Sequence, residues 1–355
     1  MKRTATESAI EIWHAGLDAV RSDRAVREHV QVSGNRLVIA GESFDVDGLE
    51  RICVVGAGKA GEGMVAGLFQ ALSPLPLGDR LTGWVNVPGG VEQREKTDSR
   101  ITLHVARPPG VNEPTTEAVD GTRRIVKMVE GMGPRDVCIC LLSGGGSALL
   151  PLPNDNITLE QKTELTRDLS AAGANIQQLN AVRSHYSQIK AGGLARRCGA
   201  GHLISLIISD VIGDSLDVIA SGPTVAQQSA PPSLSSVCKQ LAMNGATKSL
   251  ALVERVPGHA VPDRTVATTC KVTNKIIANN QDAVDAAVRR ARALGFSCEI
   301  IPTEPSTTTA DRLGAELAQR LIAAAKESRG PTCFVSGGEP IVRLAPTVTR
   351  TSRTA

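Results

Sequence analysis

The stretch Arg51-Ile-Cys-Val-Val-Gly-Ala-Gly-Lys-Ala-Gly-Glu-Gly63 is an apolar run that ends in a glycine-rich turn and continues into a helical pattern. In α/β proteins, a Gly-x-Gly-x-x-Gly turn after a buried strand lets the backbone approach a phosphate group. Such turns also occur where a helix and a strand simply pack closely, so the glycines alone are a weak indication. Lys59 adds a positive charge at the mouth of the turn. That charge favours phosphoryl chemistry over a redox cofactor.

Two known phosphate-binding motifs can be tested against this turn. A P-loop places Ser or Thr after its lysine to hold Mg²⁺, whereas Lys59 is followed by Ala60. A dinucleotide site usually places Asp or Glu at the end of the second strand. The segment that contains the next predicted strand, residues 81–90, ends in proline and glycine with no acid. A P-loop and an NAD site are therefore both disfavoured.

Composition favours a globular protein whose cysteines are reduced. The chain has 355 residues, 41% of them apolar, with a net charge of +3 and very few aromatic residues. This length is typical of two domains, and a nucleic-acid binder would more often show a basic stripe with stacking rings. The eight cysteines and six histidines form no zinc motif. Residues 1–24 mix charges, and no apolar run reaches the length of a membrane span. We predict a cytoplasmic protein that binds neither nucleic acid nor membranes.

Short apolar runs alternate with helical patterns, which predicts parallel sheets covered on both faces. The predicted strands are residues 37–39, 52–55, 83–87, 101–105, 137–142, 203–209, 275–278, 297–302 and 333–336. The predicted helices are residues 8–20, 61–72, 115–130, 159–173, 174–190, 282–294 and 310–328. The stretch 226–269 contains several prolines and no clear strand. We predict a three-layer α/β/α Rossmann-like domain over residues 1–245, a second, incomplete α/β domain over 246–344, and a polar tail over 345–355.

A second glycine-rich segment, Ser143-Gly-Gly-Gly-Ser147, directly follows the predicted strand 137–142. Three glycines and two hydroxyls can aim several backbone N–H groups at one anion. A flexible surface turn is the alternative, but the position directly after a buried strand favours a phosphate or carboxylate site. Ligands of doubly wound folds lie beyond the carboxyl ends of the strands, and this loop has that position.

Two further segments carry charges of the kind that phosphoryl transfer uses. Asp210 follows the predicted strand 203–209, where its carboxylate could hold Mg²⁺ or cap the next helix. Arg183 and Lys190 are seven residues apart in the predicted helix 174–190 and therefore lie on one helical face. They could clamp an acidic substrate or neutralise charge on a transferring phosphoryl group. A solvated basic face is the ordinary alternative.

Several motifs occur in one order: Val-Gly-Ala-Gly-Lys-Ala, Leu-Ser-Gly-Gly-Gly-Ser-Ala-Leu-Leu, Leu-Asn-Ala-Val-Arg, Lys-Ala-Gly-Gly-Leu-Ala, Ile-Ser-Asp-Val-Ile-Gly-Asp and Ile-Ala-Ser-Gly-Pro-Thr. Together they resemble the type II glycerate kinases, the MOFRL or TtuD-like family, over residues 8–344. Asn279 and Ser336-Gly-Gly-Glu-Pro340 fit the same pattern. The resemblance implies transfer of the γ-phosphoryl group of ATP to D-glycerate with Mg²⁺, usually giving 2-phosphoglycerate. It also implies a site in the cleft between two α/β domains.

The resemblance further implies roles for individual residues. Lys59 would hold the phosphoryl group or the substrate, and Arg183 and Lys190 would clamp the substrate and the transition state. Asp210 would ligate Mg²⁺ or act on the substrate hydroxyl. The residues implied to bind the nucleotide or its phosphates lie in the two glycine-rich segments and at two later positions: Gly56, Gly58, Ser143, Gly144, Gly145, Gly146, Ser147, Asn279 and Glu339.

The chain departs from the family pattern after residue 340. Family members continue with a Gly-Gly-Arg-Asn-Gln-Glu segment and later an acidic Thr-Asp-Gly…Asp-Gly-Pro-Thr loop, and this chain has neither. We therefore expect a truncated C-terminus, which would expose strand edges and impair folding and activity. Two alternatives stay open: an NAD(P)-dependent hydroxypyruvate reductase, and an inactive fragment that binds a ligand or partner. A homodimer also stays open.

Overall fold

The computed structural model describes residues 3–90, 100–225, 234–242, 247–256, 270–302, 309–327 and 330–338. The chain divides into two units, a larger one of Val20–Asn279 and a smaller one of Met1–Ala19 with Asn280–Ala355. The fold is α/β with parallel strands flanked by helices, which confirms the fold class predicted from the alternation of strands and helices.

The strands and helices of the described residues are as follows. The strands are β1 (Val30–Ser33), β2 (Arg36–Ile39), β3 (Glu42–Asp45), β4 (Ile52–Ala57), β5 (Leu81–Pro88), β6 (Ile101–Arg107), β7 (Val137–Leu142), β8 (His202–Ile208), β9 (Lys271–Ala278), β10 (Ser297–Ile300) and β11 (Thr332–Val335). The helices are α1 (Ala5–Ala19), α2 (Ser22–His29), α3 (Gly61–Leu72), α4 (Thr116–Glu130), α5 (Gly146–Leu149), α6 (Leu159–Ala171), α7 (Ile176–His185), α8 (Gly193–Arg197), α9 (Leu234–Ala242), α10 (Thr247–Arg255), α11 (Asn280–Ala293) and α12 (Ala310–Glu327).

The larger unit contains a six-stranded parallel sheet with the order β6-β5-β4-β7-β8-β9. The two central strands, β4 and β7, are buried along their whole length, as their uninterrupted apolar sequences require. They pair so that Ala57 lies opposite Leu142. Because all six strands run in the same direction, their carboxyl ends meet at one edge of the sheet, where ligands of such folds bind.

Alternate side chains of the sheet point to opposite faces, and each face is covered. On one face, Val55 packs in a cluster with Ile125 of α4 and residues of α5 and α8. On the other face, Val54 packs with Met64 of α3, with α2, and with Leu37 of the antiparallel meander β1-β2-β3. The result is the helix–sheet–helix layering that was predicted for this part of the chain.

A group of four helices, α6, α7, α9 and α10, has an apolar cluster of its own. The cluster contains the fully buried Tyr186, whose hydroxyl donates a hydrogen bond of 3.0 Å to the carbonyl oxygen of Val256. Helices α6 and α7 each begin with a capping box, Thr158 with Gln161 and Asn175 with Gln178. Helix α7 ends at His185, so the predicted single helix over residues 174–190 is wrong beyond that residue.

The smaller unit contains α1, α11, α12 and the parallel pair β10–β11. Helix α1 packs on α11 so closely that a Cβ at Gly16 would lie 3.0 Å from the carbonyl oxygen of Ala283. The apolar cluster of this unit includes Ile12, Val284 and Val335.

The division into two units does not test the predicted domain boundaries, which stay a prediction. Strand β9 begins after the predicted boundary at residue 245 and belongs to the sheet of the larger unit. The predicted polar tail, residues 345–355, lies outside the described residues. No helix in the described part of the chain is long and apolar enough to cross a membrane.

The contact between α2 and α3 yields a stability prediction. A Cβ at Gly67 of α3 would overlap the carbonyl oxygen of Asp23 in α2 and lie 2.7 Å from its Cα. Because backbone atoms cannot move aside cheaply, we expect Gly67→Ala to lower the free energy of unfolding by about 1–3 kcal/mol. Urea unfolding followed by circular dichroism measures this change. Gly48→Ala is the control, because no atom lies within 4 Å of its Cβ position; equal effects of both substitutions would contradict the prediction.

Candidate active site

The predicted site residues of the larger unit gather at the carboxyl edge of the parallel sheet. Lys59 follows β4, Ser143 follows β7, Asp210 follows β8 and Asn279 follows β9. The strand order places β4, β7, β8 and β9 side by side. The sequence therefore brings these four polar positions to adjacent points along one edge. Glu339 lies outside the described residues, so its predicted role stays a prediction.

The two glycine-rich loops after β4 and β7 are joined by hydrogen bonds. The amide of Lys59 donates to the carbonyl oxygen of Gly144 at 2.9 Å, and the amide of Ser143 donates to that of Ala57 at 3.2 Å. The amide of Ala60 donates to the Oγ of Ser143 at 3.0 Å. Each loop thus fixes the other, and a movement of one would break bonds made by both.

Two glycines of the first loop are required by this close approach. A Cβ at Gly56 would overlap the carbonyl oxygen of Leu141, and a Cβ at Gly58 would overlap the Oγ of Ser143. Any larger residue at either position would push the β7 loop away from Lys59. These glycines therefore position the loops, whether or not they also contact a phosphate.

The middle of the second loop has amides available for a ligand. The amides of Gly144 and Gly145 make no hydrogen bond to another residue in the described ranges. Gly145 has a φ of +78°, a left-handed conformation that favours glycine, and it precedes the short helix α5. Free amides at such a turn can bind an anion, which is the role predicted for this loop.

Lys59 lies next to Gly145 together with Arg107, a residue that the sequence analysis did not identify. A Cβ at Gly145 would lie 3.0 Å from the Nη2 atom of Arg107 and 3.4 Å from the Cε atom of Lys59. Arg107 is the last residue of β6, whereas the predicted strand ended at residue 105. Only the correct strand end would have indicated it, since that end places the guanidinium at the site edge.

Asp210 lies against Gly144, the residue of this loop that precedes Gly145. Its carboxylate Cγ is 2.9 Å from the position that a Cβ of Gly144 would occupy. The residue is exposed, so a substrate or a metal ion can reach it. Asn279 is oriented differently: its Nδ2 donates to the carboxylate of Asp214 at 2.6 Å, which joins the loops after β8 and β9.

Lys190 holds two loops together on the other side of Ser147. Its Nζ donates to the carbonyl oxygen and the Oγ of Ser147, at 3.1 and 3.0 Å, and to the carbonyl oxygen of Ala220 at 3.1 Å. The Oγ of Ser147 is 3.0 Å from that of Ser221, which donates to the Oδ1 of Asn180. Lys190 therefore acts on the loop that carries the free amides.

Arg183 and Lys190 are not on one helical face, because Lys190 lies beyond the end of α7. They are nevertheless connected through side chains. The Nη1 of Arg183 lies 3.5 Å from the Oδ1 of Asn180, which accepts from Ser221 beside Lys190. The chain reaches Lys190 through an irregular segment rather than through helical periodicity.

Three buried or half-buried basic side chains lie in this region. Burial lowers the pKa of Lys190 well below its usual value, and the positive charges of Lys162 and Arg183 lower it further. Burial, with a contribution from Arg183, lowers the pKa of Lys162 to about 7. Burial also lowers the pKa of Arg183. The region is therefore short of negative charge, and a bound anion would supply it.

No group of three or more His, Cys, Asp or Glu side chains suited to a metal occurs in the described part of the chain. Mg²⁺ in nucleotide sites is commonly held by one or two carboxylates together with substrate phosphates and water. The single exposed carboxylate of Asp210 beside the loop fits that kind of site.

Comparisons with known proteins bear on the family of this chain. Residues 8–255 match the family model described as "Domain of unknown function (DUF4147)". The chain is 32% identical to the glycerate kinase of Danio rerio, over 94% of this chain and 76% of that protein. It is 29% identical to the D-glycerate 2-kinase of Thermotoga maritima, over 95% of this chain and 74% of that protein. A crystal structure of glycerate kinase from Thermotoga maritima matches with a TM-score of 0.71 and 28% identity, covering 96% of this chain and 75% of that one.

The chain thus spans about three quarters of the length of these relatives. The comparisons do not make the expected truncation evident, and it stays a prediction. The expected position of the site in a cleft between two domains also stays a prediction.

The depressed pKa of Lys162 yields a prediction about pH. Between pH 7 and the usual lysine pKa near 10.5, the unfolded state holds a proton that the folded state lacks, so the free energy of unfolding rises with pH. For one proton this slope is about 1.4 kcal/mol per pH unit. We expect Lys162→Met to have a shallower slope than the wild type in urea unfolding between pH 7.5 and 9.5. Exposed Lys127 replaced by Met is the control, and identical slopes in all three proteins would contradict the prediction.

Proposed function

The chain belongs to the DUF4147 family of type II glycerate kinases, and we propose that this kinase transfers the γ-phosphoryl group of ATP to the C2 hydroxyl of D-glycerate. One observation carries the proposal. The loop with two free amides, Gly144 and Gly145, lies between the cations Lys59 and Lys190, with the carboxylate of Asp210 next to Gly144. A site for phosphoryl transfer needs anion donors, positive charge and a group that faces the attacking hydroxyl, and these residues supply all three.

In the proposed reaction, the oxygen of the C2 hydroxyl bonds to the γ-phosphorus while the bond from that phosphorus to the β-phosphate oxygen breaks. ADP is the leaving group, and the hydroxyl proton passes to the carboxylate of Asp210. Lys59 and the amides of Gly144 and Gly145 stabilise the negative charge on the transferring phosphoryl group. Donors held rigidly before the reaction are most effective in this role, and the hydrogen bonds between the two loops hold them.

Lys190 has a supporting role in this proposal. All three of its hydrogen bonds go to oxygens of the protein, so it holds the Ser147 loop while its charge contributes to the field at the site. Arg183 adds positive charge nearby, and its Nη1 contacts the Oδ1 of Asn180. This differs from a direct clamp on the substrate, the role that the family resemblance implied for both residues.

The second role predicted for Asp210 is as a ligand of Mg²⁺. Mg²⁺ bound there with ATP would neutralise charge on the phosphates.

The comparisons do not support the reductase alternative, and β5 ends without the acid that an NAD site uses. D-glycerate and ATP are therefore the proposed ligands. A cytoplasmic location and a homodimer stay predictions.

The role of Lys59 can be tested by phosphorus NMR with MgATP and D-glycerate. We expect the wild type to form ADP and 2-phosphoglycerate, identified by the coupling of its phosphorus to the proton on C2. Lys59→Ala should lower kcat/KM by at least about a hundredfold, because it removes charge stabilisation from the transition state. Lys127→Ala, an exposed change on α4, is the control. An unchanged rate for Lys59→Ala would refute its role, and a 3-phosphoglycerate product would refute the position of transfer.

The two roles of Asp210 can be separated with Asp210→Asn. The amide cannot accept the hydroxyl proton, so we expect kcat to fall at least about tenfold at every Mg²⁺ concentration. Recovery of the wild-type rate at high Mg²⁺ would show instead that the residue holds the metal. Asp120→Asn, an exposed change on α4, is the control.

A further inference from the structure

Arg107 carries a buried positive charge that lacks part of its hydrogen bonding. The residue is 4% exposed, and its Nε atom is buried without a hydrogen-bond partner in the described part of the chain. Desolvation lowers the pKa of its guanidinium. A buried charge without a partner is unfavourable, so an anion that reached it would be bound strongly.

Arginines that support the fold are satisfied differently in this protein. The Nη1 of Arg80 donates to the carbonyl oxygens of Val46 and Leu49, at 3.1 and 3.3 Å. The Nη2 of Arg51 donates to a carboxylate oxygen of Asp136 at 2.6 Å. Within the described residues, no side-chain nitrogen of Arg107 donates to a protein oxygen, and its Nε is buried. Its burial at the end of β6 is therefore not explained by a structural hydrogen bond from that atom.

The guanidinium group of Arg107 lies at the site. Its Nη2 lies 3.0 Å from the position that a Cβ of Gly145 would occupy, so the glycine leaves room beside the guanidinium. The Nε–H and an Nη2–H point in parallel from one edge of a guanidinium group. Such an edge matches the two oxygens of a carboxylate, whereas the compact ammonium group of a lysine does not.

We infer that Arg107 binds the carboxylate group of D-glycerate through its Nε–Nη2 edge and thereby selects 2-hydroxy acids as substrates. This inference rests on the proposed function. The neighbouring residues Gly144 and Gly145 have Cα atoms about 3.8 Å apart; Asp210 lies against the first and Arg107 against the second. In glycerate the carboxylate is attached directly to C2, so a carboxylate at Arg107 brings the C2 hydroxyl towards Asp210. The C3 hydroxyl is one carbon farther away.

The different roles of Lys59 and Arg107 beside Gly145 follow from the chemistry of their side chains. Lys59 is a point charge and suits the γ-phosphoryl group, which changes shape during transfer. Arg107 presents a rigid pair of donors and suits a carboxylate that stays unchanged in the reaction. The arrangement therefore separates binding of the substrate from stabilisation of the transferred group.

Arg107→Lys tests this inference, because it keeps the charge and removes the paired donors. We expect the KM for D-glycerate to rise at least about tenfold while the KM for ATP changes less than about twofold. The preference for glycerate over glyceramide, its neutral amide, should fall by a similar factor. Arg123→Lys, an exposed change on α4, is the control, and thermal melts of both variants show whether they fold.

The outcomes separate the inference from the proposed function. A wild-type chain that does not phosphorylate glycerate refutes the proposed function. Calorimetric titration of glycerate into the wild type and Arg107→Lys then decides the inference by itself, since weaker binding to the variant supports it and equal binding overturns it. A rise in the KM for ATP in place of that for glycerate, or an unchanged preference over glyceramide, also overturns it.

A measurement on the wild type remains decisive if the variant does not fold. In protein labelled with ¹⁵N-arginine, we expect one buried Nε–H resonance, that of Arg107, to shift and gain protection from exchange when D-glycerate is added. Glyceramide should leave it unchanged. An equal response to both compounds, or none to glycerate, would overturn the inference.

Discussion

The site depends on the hydrogen bonds that join the loops after the two central strands. Lys59 and Ser143 each donate an amide to the opposite loop, and Ser143 also accepts the amide of Ala60. These bonds form only because β4 and β7 are adjacent and in register up to Ala57 and Leu142. Two fully buried strands hold these loops in place. Donors on such rigid elements are positioned more accurately than donors on free loops.

A neighbouring strand and a strained segment strengthen this arrangement. Asn86 of β5 accepts the amide of Gly58 through its carbonyl oxygen and donates from its side chain to the carbonyl oxygen of Leu149 at 2.7 Å. Ala191, Ala220 and Ser221 have φ values of +50°, +51° and +60°. Such conformations are costly for residues other than glycine and persist where surrounding contacts fix them. Here the fixing contacts are those of Lys190 and the paired backbones.

The sequence predicts those parts of the structure whose cause is local. The uninterrupted apolar runs of β4 and β7, and the glycines that follow them, define the sheet and its two loops. The predicted length of α7 was wrong because the helical spacing of the sequence continues past His185. In the structure the backbone turns there, and residue 187 pairs with residue 153. Arg107 was missed because nothing local marks it. Its importance arises from β6 ending two residues later than predicted, beside loops that are distant in sequence.

Hydrogen bonding, rather than residue type or spacing, divides the cations of this site into two groups. Lys190 donates to three protein oxygens and so holds the loop that contains Ser147. Its charge acts on the site only at a distance. Arg107 is buried to a similar degree, but its Nε has no partner in the described residues. A cation whose donors are satisfied is part of the scaffold, whereas one with open donors is ready for a ligand. The sequence cannot reveal this difference, since residue type does not show which donors the protein uses. The structure separates them because it shows which of their donors the protein already uses.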